Sequence, residues 1–245
     1  MVDVFDDLAA EYRQFDAMLA SLNPEQWARP SGAEGWSVSD VVLHLAQTEE
    51  VIVDPSIGEG TAFLSPDAEK TVDGVADAMV AAERGAPPAG LLARWRKAAH
   101  ATPEILRAHP PGTRLSWVRT SLSPRTLATT RLAEHWAHAQ DIAVPLGVPY
   151  PDTARIRHVA WLAHRTLPYA FALDGLPDVP VYCDLAAPDG TRWTFGDPAA
   201  PTRITGPAAD FCRVGARRLA PEETALAAEG PHAADALRVV RNYAA

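Results

Sequence analysis

The sequence predicts a mostly α-helical protein, with a helical bundle over residues 1–148 and a small α+β domain over residues 149–245 that contains a short antiparallel sheet. Two observations predict this order. In the first part, apolar residues recur every three or four positions, which is the spacing of one helix face. After Gly175, apolar residues alternate with polar ones, as they do in a half-buried strand. The 245 residues are enough for two domains with cores of their own.

Four or five helices joined by short loops are expected in the first domain. Ser37 with Asp40 three residues later is typical of a helix start, and Ser123 before Pro124 indicates another, since serine caps the first turn and proline is tolerated there. Pro103 is expected inside a helix, which it would bend. The stretch between His109 and Ser123 is expected to be a loop. The predicted helices cover about residues 3–22, 38–52, 68–84, 91–106 and 124–144.

The second domain is expected to begin with one helix over residues 152–171. Residues 179–185 and 192–195 then form a hairpin around the turn Pro188-Asp189-Gly190, because proline and glycine favour turns between alternating segments. A third short strand follows. This strand is predicted over residues 203–205, and two further helices are predicted over residues 207–219 and 232–243.

Composition and charge narrow the possible partners. The formal net charge is -9 and basic residues do not cluster, which argues against nucleic acid as a partner. No run approaches the roughly 18 apolar residues of a membrane span, and the acidic N-terminus does not resemble a signal peptide. The two cysteines, Cys183 and Cys212, have no metal-site spacing. We therefore expect a cytoplasmic protein that acts on a small molecule, without a membrane partner; a homodimer remains open.

The segment Arg131 to Asp141, RLAEHWAHAQD, carries the candidate site. Glu134 and His138 are four residues apart, so on a helix both side chains lie on one face. His44, on a second apolar helix, would complete a metal site, and Asp141 would hold His138 in one tautomer. Two histidines and one carboxylate are typical of catalytic zinc, although nickel, iron or manganese would also accept these donors. A simple ion pair between Glu134 and His138 would give the same spacing.

The other histidines are weaker candidates. His135 follows Glu134 directly and points about 100 degrees away from it on a helix, so packing or a surface position is expected. His158 and His164 are six residues apart and do not share a helical face.

Two motifs carry a resemblance to a known family. GWSVSDVVLHLA, with its Gly-Trp-Ser-x-x-Asp-x-x-x-His pattern, and EHWAHAQD, with Glu-x-x-x-His-x-x-Asp, resemble the N-terminal domain of mycothiol-dependent maleylpyruvate isomerase in the DinB-like metalloprotein superfamily. The resemblance extends over most of the chain and is closest to an actinobacterial branch. It implies a four-helix bundle followed by a small α+β domain, with His44, Glu134 and His138 as the metal ligands.

The resemblance also implies an activity. In the family a metal, usually zinc, binds the thiol of a cofactor such as mycothiol, and a coordinated thiol loses its proton. The thiolate would add to a conjugated double bond and leave after rotation, which is isomerisation, or it would displace a leaving group, which is S-transfer. The substrate would be small and electrophilic or carboxylate-bearing. The alternative is a protein of the same fold that binds a metal or small ligand without catalysis.

The family further implies an arginine in the C-terminal domain that binds a substrate carboxylate, a task that suits its two-pronged guanidinium. The segment FCRVGARR matches this region, and we assign the role to Arg217 in preference to Arg213 or Arg218. The spacing departs from the isomerase pattern, so maleylpyruvate itself is not implied as strongly as the metal. A surface arginine is the alternative interpretation.

Overall fold

The computed structural model describes residues 3–55, 71–118 and 120–242. Within the described residues, the chain divides into two compact units, residues 3–150 and residues 151–242. Residues 68–70 of the predicted third helix and Tyr243 of the predicted last helix lie outside the described residues. No helix within the described ranges is long and apolar enough to cross a membrane.

The first unit is a four-helix bundle, so this part of the predicted fold is confirmed. Its four long helices pack against one another, and a shorter helix, α4, packs against α3. A one-turn helix, α2, connects α1 to α3. The bounds are α1 Val4–Ser21, α2 Pro24–Trp27, α3 Val38–Val53, α4 Val72–Glu83, α5 Pro88–Ala108 and α6 Pro124–Leu146, the bundle being α1, α3, α5 and α6.

Local sequence determines where the two site-bearing helices begin. Ser37 Oγ accepts a hydrogen bond from the backbone N–H of Asp40 at 3.2 Å, and the Asp40 carboxylate accepts one from the Ser37 backbone N–H at 2.9 Å. This reciprocal capping box starts α3. Ser123 Oγ accepts from the backbone N–H of Thr126 at 3.1 Å and starts α6, with Pro124 in the first turn.

Helix α5 continues from Pro88 through Pro103 to Ala108, so the prediction that Pro103 lies inside a helix is confirmed. One detail of the first unit differs from the prediction. The predicted loop before Ser123 contains a short antiparallel hairpin of β1 (Leu115–Trp117) and β2 (Thr120–Leu122). Three-residue strands are too short to show an alternating pattern in the sequence.

Helix α6 is buried along most of its length, and this burial places its polar residues inside the bundle. Trp136 and Leu132 are almost fully buried on one side. Arg131 and His138 are only 2% and 8% exposed on another. Buried polar groups need hydrogen-bond partners, so the polar side chains of α6 must be hydrogen-bonded within the bundle.

The second unit combines four helices with a four-stranded sheet in the described part of the chain, which confirms the predicted α+β class. The sheet order is β4-β3-β5-β6. The predicted single first helix is two helices that meet at Thr166, where Pro168 lies in the first turn of the second. The elements are α7 Ile156–Arg165, α8 Leu167–Leu173, β3 Val181–Ala186, β4 Arg192–Phe195, β5 Thr202–Pro207, α9 Ala208–Gly215, β6 Ala227–Glu229 and α10 Ala233–Val239.

The sheet is mixed, whereas a purely antiparallel sheet was expected. Strands β3 and β4 form the predicted antiparallel hairpin, but β5 runs parallel to β3. Strand β4 ends beside the start of β3, so a strand that begins at that end on the other side of β3 must run parallel to it. Gly196 begins this crossing with φ +84, and a Cβ there would come within 2.3 Å of the Val181 carbonyl oxygen. Only glycine fits this approach.

We predict that Leu132→Ala lowers the free energy of unfolding by about 2–5 kcal/mol, because Leu132 is fully buried and its truncation leaves a cavity in the bundle. Chemical denaturation of both proteins would measure the difference. Val144→Ala on the same helix is the matched control: its side chain is 73% exposed, and we expect a change within about 0.5 kcal/mol. Equal losses from the two substitutions would contradict the burial described for α6.

Candidate metal centre

The structure brings His44, Glu134 and His138 together. Each offers one ligand atom, and these atoms lie within 4.8 Å of one another. His44 is contributed by α3, while Glu134 and His138 stand one turn apart on α6. Glu134 Oε1 lies 3.5 Å from His44 Nε2 and 3.3 Å from His138 Nε2. Two imidazole nitrogens and one carboxylate oxygen therefore converge on one small volume.

Asp141 orients the second histidine. Its Oδ2 lies 2.8 Å from His138 Nδ1, so the imidazole donates Nδ1–H to the carboxylate and Nε2 faces Glu134. Asp141 is 4% exposed, which keeps this hydrogen bond out of water. Burial lowers the pKa of His138, but the hydrogen bonds that Asp141 and Glu134 accept from this ring outweigh it, and the pKa is raised overall. A carboxylate behind the imidazole is the usual support of a metal-binding histidine.

The charges suit a cation. Burial lowers the pKa of His44, which favours the neutral imidazole, the form that binds metal ions. Burial raises the pKa of Glu134, yet its hydrogen bonds to His138 and His44 hold the pKa well below the usual value, and the side chain is ionised. Glu134 is 34% exposed on its side-chain atoms, so the cluster opens to solvent on this side. This donor set fits a divalent metal ion with room for a further ligand.

Trp36 forms a wall of the cluster that the residue-by-residue interpretation of the sequence missed. Its ring centroid lies 5.0 Å from that of His44 and 6.2 Å from that of His138, nearly parallel to the latter at 21°. The indole Nε1–H donates to Asp77 on α4 at 2.8 Å, which fixes the orientation of the ring. Trp36 is part of the GWSVSDVVLHLA motif, but the motif alone gives no role to the tryptophan.

The loop before α3 contacts Asp141 through Gly32. The Gly32 backbone N–H donates to the Asp141 carbonyl oxygen at 2.7 Å. A Cβ at Gly32 would lie 3.2 Å from the Asp141 Cα and 3.3 Å from its Oδ1. A side chain at this position would therefore push directly on the residue that orients His138.

His135 is packed in the bundle interior, which agrees with one of the two expected positions. Its Nδ1–H donates to the Arg131 carbonyl oxygen at 2.9 Å, and Nε2 accepts from the Trp95 indole at 3.0 Å. The pKa of His135 is lowered to about 3, mainly by burial, so the ring stays neutral. Both ring nitrogens are occupied by protein partners, which leaves none for a metal.

The candidate arginine lies in the second unit. Arg217 adopts a left-handed conformation with φ 60, and its guanidinium donates to the carbonyl oxygens of Arg238 at 2.8 Å and Val239 at 3.2 Å. Arg213 donates to the Asp152 carboxylate at 2.8 Å. Arg217 therefore contacts the end of α10. Its role toward a substrate stays a prediction.

We predict that Asp141→Asn and Gly32→Ala each weaken divalent-metal binding about 10–100-fold, because both disturb the group that orients His138. Titration of the metal-free proteins with Zn²⁺ or Co²⁺, followed by calorimetry, would measure this. Gly90→Ala is the matched control for the glycine substitution, since a Cβ there meets nothing within 4 Å. Unchanged affinity in Asp141→Asn would mean that Asp141 does not support the ligand.

Comparisons with known proteins identify the family of this chain. The family model for the mycothiol maleylpyruvate isomerase N-terminal domain matches residues 8–143. An uncharacterized protein of Mycobacterium tuberculosis, in strains CDC 1551 and H37Rv, is 36% identical over 241 residues, covering 97% of this chain and 94% of the relative.

Two solved structures share the fold. The crystal structure of the mycothiol-dependent maleylpyruvate isomerase aligns with a TM-score of 0.63 at 14% identity, over 94% of this chain and 99% of that one. A histidine-to-alanine mutant of it aligns over the same fractions, also at 14% identity, with a TM-score of 0.60. The predicted resemblance is confirmed: this chain belongs to the mycothiol maleylpyruvate isomerase N-terminal domain family.

Proposed function

We propose that this protein is a divalent-metal-dependent enzyme that uses a thiol cofactor, mycothiol. It would either isomerise a small electrophilic or carboxylate-bearing substrate or transfer the thiol sulfur onto it. His44, Glu134 and His138 would hold the metal. The observation that carries the proposal is the convergence of their three ligand atoms within 4.8 Å, on the helices that the family motifs occupy.

Zinc is the metal we expect, with nickel, iron and manganese as the other ions that accept this donor set. A bound divalent metal would lower the pKa of a thiol ligand and hold it as the reactive thiolate. Thiol dependence is supported by the solved isomerase of the same fold, which is described as mycothiol-dependent. At 14% identity that likeness gives the fold, so its substrate is not transferred to this chain.

The chain's own residues have distinct tasks in this proposal. Glu134 supplies the one negative charge among the three ligands, and its partly exposed side faces the solvent from which substrate arrives. Asp141 keeps the Nδ1 proton of His138 and leaves Nε2 as the ligand atom. Trp36 packs beside the rings of His44 and His138 and is held in place by Asp77 on α4. The same constellation without turnover would be a metal-binding protein, which the experiment below separates.

We predict about one divalent metal ion per chain in the purified protein, and loss of that metal in the His44→Ala/His138→Ala double variant. Elemental analysis measures both, and His100→Ala, an exposed histidine on α5, should retain the metal. The loaded protein should consume electrophiles from a panel only when mycothiol is present, with the double variant inactive. Wild-type protein without metal, or full retention in the double variant, would contradict the metal site. Bound metal without mycothiol-dependent turnover would favour the non-catalytic protein.

We also propose that Arg217 binds a substrate carboxylate. Two of its N–H groups donate to the end of α10, and a guanidinium has five. The remaining N–H groups of Arg217 would donate to the substrate carboxylate. Hydrogen bonds to charged groups contribute about 1.5–3 kcal/mol, which corresponds to roughly a 10–100-fold effect on binding.

We predict that Arg217→Ala raises KM for carboxylate-bearing substrates about 10–100-fold while substrates without a carboxylate are unaffected. Steady-state kinetics on matched ester and acid pairs would show this difference. Arg192→Ala is the control, since that guanidinium pairs with Asp184 on the sheet. A lower melting temperature with unchanged KM on both substrate classes would show that Arg217 only caps α10.

A further inference from the structure

A buried ionic cluster lies in the bundle next to the metal-site residues. Arg131 Nε donates to Glu49 Oε1 at 2.7 Å, and Arg131 Nη2 donates to Thr48 Oγ1 at 2.7 Å. Glu49 Oε2 accepts from Thr102 Oγ1 at 2.5 Å. Arg131 is 2% exposed, while Glu49 and Thr102 are not exposed at all. The cluster therefore joins α6, α3 and α5 with every contact away from water.

Both members of the ion pair are charged. Burial raises the pKa of Glu49, but the charge of Arg131 and the hydrogen bonds from Thr102 and Arg131 outweigh it, and the pKa is lowered overall. Burial lowers the pKa of Arg131, and Glu49 more than compensates. A buried ion pair of this kind loses the hydration of both groups, and apolar residues of similar size often stabilise a fold as well or better. Stability alone therefore does not explain why charges occupy this place.

The position of the pair suggests another role. The metal ligands come from two helices, yet α3 packs most extensively against α5, and α6 packs most extensively against α1. Direct packing between α3 and α6 is therefore limited, and it contributes little to the separation of His44 from Glu134 and His138. Arg131 lies one turn before Glu134 and spans directly from α6 to α3.

The cluster also reaches the backbone of a ligand. Thr48 Oγ1, which accepts from Arg131, donates to the carbonyl oxygen of His44 at 2.9 Å. One hydrogen-bonded chain thus runs from the helix that bears Glu134 and His138 to the residue that bears the third ligand. Metal sites tolerate displacements of only about 0.5 Å in their ligands.

We propose that Arg131 and Glu49 are positioning residues of the metal centre, which fix α3 against α6 so that His44, Glu134 and His138 meet at ligand distance. This inference rests on the proposed metal binding by these three residues. The planar guanidinium suits the task because it holds Glu49 and Thr48 at once in a fixed geometry.

The test compares Co²⁺-loaded proteins, because the visible absorption of Co²⁺ depends on the number and geometry of its ligands. The main variant is Glu49→Leu/Arg131→Met, which replaces the pair by apolar side chains of similar size and avoids a single buried charge. We expect a melting temperature equal to or above that of the wild-type protein, a Co²⁺ Kd raised at least 10-fold, and a changed absorption spectrum. Arg131→Lys, which keeps the charge but not the two-pronged geometry, should fall between the two.

The matched control is Glu50→Gln/Arg94→Gln. Arg94 on α5 binds Glu50 on α3 at 2.6 Å and Glu83 on α4 at 2.5 Å, so this pair joins other helices than α6, and Co²⁺ affinity and spectrum should remain as in the wild type. A Glu49→Leu/Arg131→Met protein with the wild-type spectrum and a Kd within twofold would overturn the positioning role alone. Wild-type protein that binds no Co²⁺ would overturn the proposed metal site and this inference together.

Discussion

The burial of α6 is the constraint on which the rest of the first unit depends. Arg131 and His138 on this helix are almost fully buried and Glu134 is partly buried, so their polar groups need hydrogen-bond partners within the bundle. The partners come from the other helices and from α6 itself: Glu49 and Thr48 for Arg131, His44 and His138 for Glu134, and Asp141 for His138. The residues of the candidate site are thus also the hydrogen-bond partners that the polar groups of α6 need inside the bundle.

How far the sequence predicts the site depends on the range of each signal. The four-residue spacing of Glu134 and His138 is local, and a helix converts it directly into proximity. Joining His44 to them needs the tertiary arrangement of two helices, because His44 and Glu134 are 90 residues apart in the chain. The apolar character of the second helix and the family motifs both pointed to His44. The contacts of Trp36, Gly32 and Glu49 were missed because their partners lie on elements that are distant in the sequence. No periodicity in a sequence records such contacts.

The same distinction applies to the fold. Capping at Ser37 and Ser123 was predictable because both partners of each hydrogen bond lie within three residues. The parallel pairing of β5 with β3 was not, since it depends on which side of the hairpin the chain passes after Gly196. Strand β6 lacked any alternating pattern: Ala227, Ala228 and Glu229 show only the composition of a loop or helix.

The separation of the ligands along the chain has a thermodynamic consequence. His44 and Glu134 are 90 residues apart and meet only when the bundle has formed, so the unfolded chain offers no comparable site. A metal held by both would act as a reversible cross-link that closes a long loop, and its binding free energy would add to the stability of the folded state. Folding of this unit and occupancy of its metal site would then be two measurements of one linked equilibrium, in which the free metal concentration sets how much folded protein is present.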